Sequence, residues 1–198
     1  MQEADRRRIV DALALALTAH GDQKRKGKEI PYASHLLAVA GLVLEAGGDA
    51  AQAAAALLHD TIEDTDDVDE ARLRAEFGAE IAAIVAACTD LLPGDTRKRK
   101  SPWGDRKRRY LAQLASAGPR AQLVAACDKL HNLRSLIADL NSEGASVLER
   151  FTASPEQTRW YYESAHALLR DVLPDSQRAE FDASIEALRG FIARAEAP

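Results

Sequence analysis

The chain has 198 residues, enough for one sizeable core, and no stretch divides it into two domains. Hydrophobic residues make up 46%, charged residues 29%, and the net charge is −5, an ordinary globular balance that argues against nucleic-acid binding through the whole surface. Cys88 and Cys127 lie far apart without a CxxC partner, which disfavours a disulfide framework or zinc ribbon and fits a reducing cytoplasm.

Alanine and leucine dominate and β-branched runs are scarce, so an all-α fold of about eight to ten helices is expected. The first helix should run from about Asp5 to His20, with Ile9, Leu13, Ala16 and Leu17 at helical spacing. Arg6 to Arg8 before an apolar run resembles a signal peptide, but Glu3, Asp5 and Asp11 interrupt it. No apolar run approaches the ~20 residues that a membrane span needs.

Residues 21–31 form a basic loop punctuated by Gly21, Gly27 and Pro31, a flexible cationic backbone that suits phosphate and equally fits a solvated turn. A second helix begins near Tyr32 to Ser34 and carries His35 in its first turn. A lone histidine there is more often a packed or solvated side chain than a ligand. Gly47 and Gly48 end this helix, and Asp49 can cap the next.

The third segment, Ala50 to Leu58, is nearly all apolar and runs into His59, Asp60, Thr61, Ile62, Glu63 and Asp64. If one buried helix continues through, His59 lies over Glu63 and Asp60 over Asp64, so imidazole and carboxylate groups share one volume. Buried groups of this kind need a partner or an ion. A helix that simply becomes acidic as it leaves the core has the same local pattern.

An acidic turn at 65–69 should cap a helix through Phe77, and Gly78 separates it from a helix over 79–92 that ends at Pro93–Gly94. The segment from Thr96 to Tyr110 is the most basic, with Arg97, Lys98, Arg99, Lys100, Arg106, Lys107, Arg108 and Arg109 around Ser101–Pro102–Trp103. Ser101 and Pro102 suit the cap and first turn of a helix beginning at Trp103. Local cations in an acidic chain make an anion-binding region.

Gly118–Pro119 opens a helix whose apolar run ends at Asp128, with Asn132 and Ser135 following on its face. With no obvious cation nearby in sequence, Asp128 calls for a metal or an arginine. A short helix is expected over 142–151. Ser154, Pro155 and Gln157 then cap a helix through about Val172 that holds Trp160, Tyr161 and Tyr162, and a last amphipathic helix follows Pro174 and ends near Ala195.

Four candidate ligands thus stand on three helices: His35, His59, Asp60 and Asp128. Two imidazoles with two carboxylates suit Mn²⁺, Fe²⁺ or Zn²⁺ better than Ca²⁺ or Mg²⁺. The ordered set His20 with Gln23 to Lys26, Pro31–Tyr32 with His35, His59 to Asp64, and Asp128 to Arg134 resembles the HD-domain superfamily. More narrowly it resembles the hydrolase domain of RelA/SpoT proteins and the stand-alone small alarmone hydrolases. The motifs cover roughly the first 140 residues, with 141–198 as additional helices of one domain. Trp103, Lys107, Tyr110 and the aromatics between Phe151 and Tyr162 look like the bacterial stand-alone branch. Leu36, where many relatives have proline, and the wording of 27–30 depart from the pattern.

The resemblance implies an all-α fold, a single Mn²⁺ held by His35, His59, Asp60 and Asp128, and removal of pyrophosphate from the 3′ position of (p)ppGpp. It implies catalytic carboxylates at Glu63 and Asp64. Arg25 and Lys26 fall on nucleotide-holding positions, and Asn132 and Ser135 on polar positions near ribose and base. A metal ion of this kind acidifies a water, the two acids orient it and take its proton, and cations stabilise phosphate charge. Lys107 is the expected phosphate contact of the basic segment, followed by Arg106 and Lys98. A small nucleotide is therefore the expected partner, in the cytoplasm, with no membrane and no nucleic acid. With no room for a synthetase domain, alarmone synthesis is not expected. The alternatives are another nucleotide phosphohydrolase, such as an NADPH 2′-phosphatase, and a nucleotide-binding HD domain that does not turn its ligand over.

Overall fold

The structure is a computed structural model that describes residues 1–92, 94–96 and 99–195; Arg97 and Lys98, two of the basic-segment cations, lie outside them. Among the described residues there are ten α-helices and no strand: α1 Glu3–His20, α2 Ala33–Glu45, α3 Ala50–Leu58, α4 Thr61–Asp64, α5 Glu70–Phe77, α6 Ala79–Cys88, α7 Trp103–Ser116, α8 Pro119–Glu143, α9 Pro155–Leu169 and α10 Asp175–Ala195. Two 3₁₀ turns, Ala145–Arg150 and Arg170–Val172, flank α9. The all-α expectation is met.

Two helices form the axis. All nine residues of α3 are buried, as an all-round apolar sequence requires, and its alanines let α1, α2 and α6 approach closely. Asp49 starts α3 by accepting from the backbone N–H groups of Ala51 and Gln52, both at 3.0 Å. Gly48 permits the approach, because a β-carbon there would lie 2.6 Å from a methyl of Val43. The 25-residue α8 packs against α2, α3, α6, α7, α9 and α10, and buries Leu123, Val124, Leu130, Leu133 and Leu140. Because α2, α3 and α8 meet, polar residues at their facing ends are forced into one volume.

The boundaries differ from the sequence expectation in ways that shape that volume. The continuous helix expected through Asp64 breaks at His59 and Asp60, where Asp60 has φ −98° and ψ −3°. Side chains take over the local carbonyls: the Thr61 hydroxyl donates to Leu58 O at 2.7 Å, and His59 Nδ1 lies 2.7 Å from Ala56 O. α6 ends at Cys88 instead of Leu92, because the Gln113 amide donates to the carbonyls of Ala86, Ala87 and Thr89. Pro102, not Ser101, caps α7; Ser101 instead donates from backbone and hydroxyl to Asp95, whose carboxyl is thereby held below its usual range. The helix expected over 142–151 is the end of α8 followed by a 3₁₀ turn, and a 3₁₀ turn also replaces the last residues expected of α9.

The basic loop is not flexible backbone. Arg25 N donates to Ile30 O and Tyr32 N to Gln23 O, both at 2.8 Å, which folds residues 23–32 into a narrow hairpin-like turn. Gly27 sits there at φ +73°, a conformation that favours glycine.

Candidate active site

His35 and His59 are buried, at 0% and 1% exposure, and Asp128 is at 4%. His35 comes from the first turn of α2, Asp128 from mid-α8, and His59 and Asp60 from the break after α3. His35 Nε2 lies 3.2 Å from Asp128 Oδ1 and 3.5 Å from Asp60 Oδ2; His59 Nε2 lies 3.0 Å from Asp60 Oδ2 and 3.5 Å from Asp128 Oδ1. Neither Nε2 makes a hydrogen bond.

Such orphaned nitrogens facing carboxylate oxygens fit an ion. His35, His59 and Asp128 offer ligand atoms within 4.8 Å of one another, and Asp60 Oδ2 borders the group. Because Ala56 O can only accept, His59 Nδ1 carries a hydrogen, leaving Nε2 to face the carboxylates. Burial alone would lower the pKa of His59, yet Asp60 and Asp128 raise it well above the usual value. Burial likewise opposes the ionised forms of Asp60 and Asp128, but His59 holds the first, and Lys129 and the two histidines hold the second, well below the carboxylate range.

Lys129 is the cation the sequence left unassigned. Its ammonium donates to Asp128 Oδ2 at 2.5 Å and lies over the rings of Tyr110 and Tyr161, at 4.9 and 5.9 Å. It stood next to Asp128 in the chain, but helix geometry does not usually bring adjacent side chains together, so the pair carried no signal.

Glu63 and Asp64 lie one short turn further on. Glu63 Oε1 accepts from Lys100 at 2.6 Å, and Oε2 accepts from the backbone N–H of Asp90 at 3.1 Å. Asp64 Oδ2 accepts from the Gln23 amide at 3.3 Å, with Lys100 4.0 Å from its other oxygen. Burial, then the Asp60 and Glu63 carboxylates, push Asp64 up to about 6. Lys100 was expected only as one cation of the anion-binding segment, not as the partner of Glu63, and Asp90 had no site role in the sequence reading.

A cleft of about 800 Å³ opens beside these groups, lined among others by Arg25, Lys26, Tyr32, Asp64, Asn132 and Ser135. Arg25 donates to Asn132 Oδ1 at 2.8 Å, and Lys26 lies over the Phe151 ring at 5.3 Å. Arg25, Lys26, Asn132 and Ser135 are therefore brought together. Lys107, with Arg106, is engaged by the buried carboxylate of Asp90, at 2.7 and 2.6 Å, beside an adjoining cavity of about 280 Å³ that shares Lys26 and Phe151 with the cleft. Tyr161 lines that cavity, while Trp160 is half-exposed and packs edge-on to Trp103.

Residues 12–154 match the family model described as HD domain. The chain belongs to the HD domain family. Members similar to it include the enzymes named guanosine-3′,5′-bis(diphosphate) 3′-pyrophosphohydrolase MESH1 of Mus musculus and Homo sapiens. Each is 38% identical over 132 residues, 65% of this chain and 69% of theirs. A Synechocystis protein named as a probable guanosine-3′,5′-bis(diphosphate) 3′-pyrophosphohydrolase is 38% identical over 66% of this chain, which spans only 17% of that protein. Among solved structures, one described as a metazoan ortholog of SpoT that hydrolyses ppGpp aligns with a TM-score of 0.70 at 27% identity, covering 93% of this chain and 96% of that one. A Listeria monocytogenes EGD-e structure aligns at 0.65 and 29% identity, covering 80% of this chain and 99% of that one.

Proposed function

We propose that the chain is a metal-dependent phosphohydrolase that removes pyrophosphate from the 3′ position of (p)ppGpp, working as one HD-type domain in the cytoplasm. Support comes first from one observation: orphaned imidazoles and ionised carboxylates lie directly behind Tyr32, His131 and Asn132, which line a cleft walled also by Arg25 and Lys26. The names of the MESH1 relatives point to the same reaction.

His35, His59, Asp60 and Asp128 would hold one Mn²⁺, which would supply Lewis acidity when bound. The chain's own groups do the rest. Glu63 and Asp64 orient the water, and Asp64 accepts its proton. The water oxygen bonds to the phosphorus next to the ribose, the bond to the 3′ oxygen breaks, and that oxygen takes a proton. The products are GDP or GTP and pyrophosphate. Arg25 and Lys26 hold the nucleotide, Ser135 lies toward ribose or base, and Lys100 balances charge at Glu63.

The test is a panel of ppGpp and NADPH with metal-stripped protein, restored separately with Mn²⁺, Zn²⁺ and Mg²⁺. Pyrophosphate release from ppGpp, strongest with Mn²⁺, is expected. Faster orthophosphate release from NADPH, or turnover that survives chelation, would overturn the assignment.

A further inference from the structure

The wall of the cleft and the outer support of the metal ligands are the same residues. Tyr32 donates to Asp60 Oδ2 at 2.5 Å, His131 Nδ1 lies 2.9 Å from His35 Nδ1, and Asn132 Nδ2 donates to Asp128 Oδ1 at 2.6 Å. All three supporting residues line the cleft. Asn132 is the one that hydrogen-bonds a cation there, its Oδ1 accepting from Arg25 at 2.8 Å, whereas Tyr32 meets the same guanidinium only through its ring, at 5.7 Å. Both ends of one amide are therefore committed inside the protein, one to the nucleotide-facing guanidinium and one to the carboxylate oxygen that faces His35 and His59. The resemblance placed Asn132 near ribose and base; its bonds point elsewhere.

We infer that Asn132 is a positioning residue for the metal centre, fixing the Asp128 carboxylate and linking it to Arg25, so that the nucleotide cleft and the ion share one hydrogen-bonded relay. The ionised Asp128 carboxylate accepts only and so selects the amide's N–H₂ end. The guanidinium donates only and holds the other end, so the two neighbours lock the amide in one orientation. Outer partners of metal ligands are commonly worth about 10–100-fold in metal affinity. By reciprocity, whatever redirects Arg25 in the cleft also changes the ion's affinity.

The inference rests on the phosphohydrolase reading for the presence of an ion, but its test needs no substrate. Mn²⁺ affinity is measured by calorimetry on the nucleotide-free protein. Asn132→Ala should weaken it at least tenfold with the metal-free melting temperature unchanged, while Ser135→Ala, in the same cleft wall but without a bond to a ligand, should leave it unchanged. Asn132→Leu keeps the volume without polar atoms and serves if the alanine variant fails to fold. Arg25→Gln should then alter Mn²⁺ affinity in the parent and not in Asn132→Leu. Parental Mn²⁺ affinity in Asn132→Ala or Asn132→Leu overturns the positioning role, and an equal Arg25→Gln effect in both backgrounds overturns the relay. Failure to cleave ppGpp while these metal effects hold would sink the substrate assignment and leave this inference standing.

Discussion

Asp64 carries a cost that its chemistry explains. Burial and two neighbouring carboxylates raise its pKa from 3.8 to about 6, so the folded protein holds that proton more tightly than the unfolded chain. Stability is therefore lost as pH rises through that window, the reverse of an ion-paired aspartate. Asp64→Asn should stabilise the metal-free protein at pH 7 by on the order of 2 kcal/mol relative to its effect at pH 4, while removing most turnover. Denaturant unfolding at the two pH values checks it; equal effects at both would refute the shift. Asp90 is the opposite case. Its carboxylate, at 7% side-chain exposure, is shared by Arg106 and Lys107. Asp90→Ala leaves two largely buried cations without their carboxylate and should cost about 3–5 kcal/mol. It should also lower activity, because the lost anchor lets the segment shift whose backbone N–H at position 90 orients Glu63. Thermal unfolding and steady-state rates together measure both.

Among the elements, α9 and α10 are clasped by one carboxylate. Asp182 Oδ1 lies 2.5 Å from His166 Nε2, and Arg170 donates to both its oxygens, at 3.1 and 3.0 Å. Arg170 first, then His166, lower the Asp182 carboxyl to about 2. Because the folded value lies below the unfolded one, the clasp contributes above pH 4 and is lost as pH falls through about 2. The melting-temperature difference between parent and Asp182→Asn should shrink across that window and with added salt; a constant difference would show that the clasp is not electrostatic. Helix order and most caps could be read from the chain, including Asp49 before α3 and Ser154 with Gln157 before α9. The helix ends that could not be read are those where a distant or rotated side chain intervenes. Gln113 ends α6 from another helix, and Asp95 diverts Ser101 from its expected cap. Local propensity contains no information about either.

For the whole molecule, an ion that bridges α2, α8 and the break after α3 binds the folded chain and not the unfolded one. Mn²⁺ at one hundred times its dissociation constant should therefore raise stability by about 2.7 kcal/mol, and chelation should reverse it. Scanning calorimetry with and without chelator tests this; an unchanged melting temperature means that the four groups hold no ion. The sequence by itself determined the order of the helices and the buried α3, and it named His35, His59, Asp60 and Asp128 as candidate ligands, because each is a polar group beside an apolar run; Glu63 and Asp64 were named as acids through the resemblance. It also contained Arg25 and Asn132, but not the bond between them across 107 positions. Only the tertiary structure decided which cation each carboxylate receives: Lys129 for Asp128, Lys100 for Glu63, Arg106 and Lys107 for Asp90. Ion pairing depends on distances of a few ångströms between elements, and those are set by how helices pack, which a linear pattern does not encode.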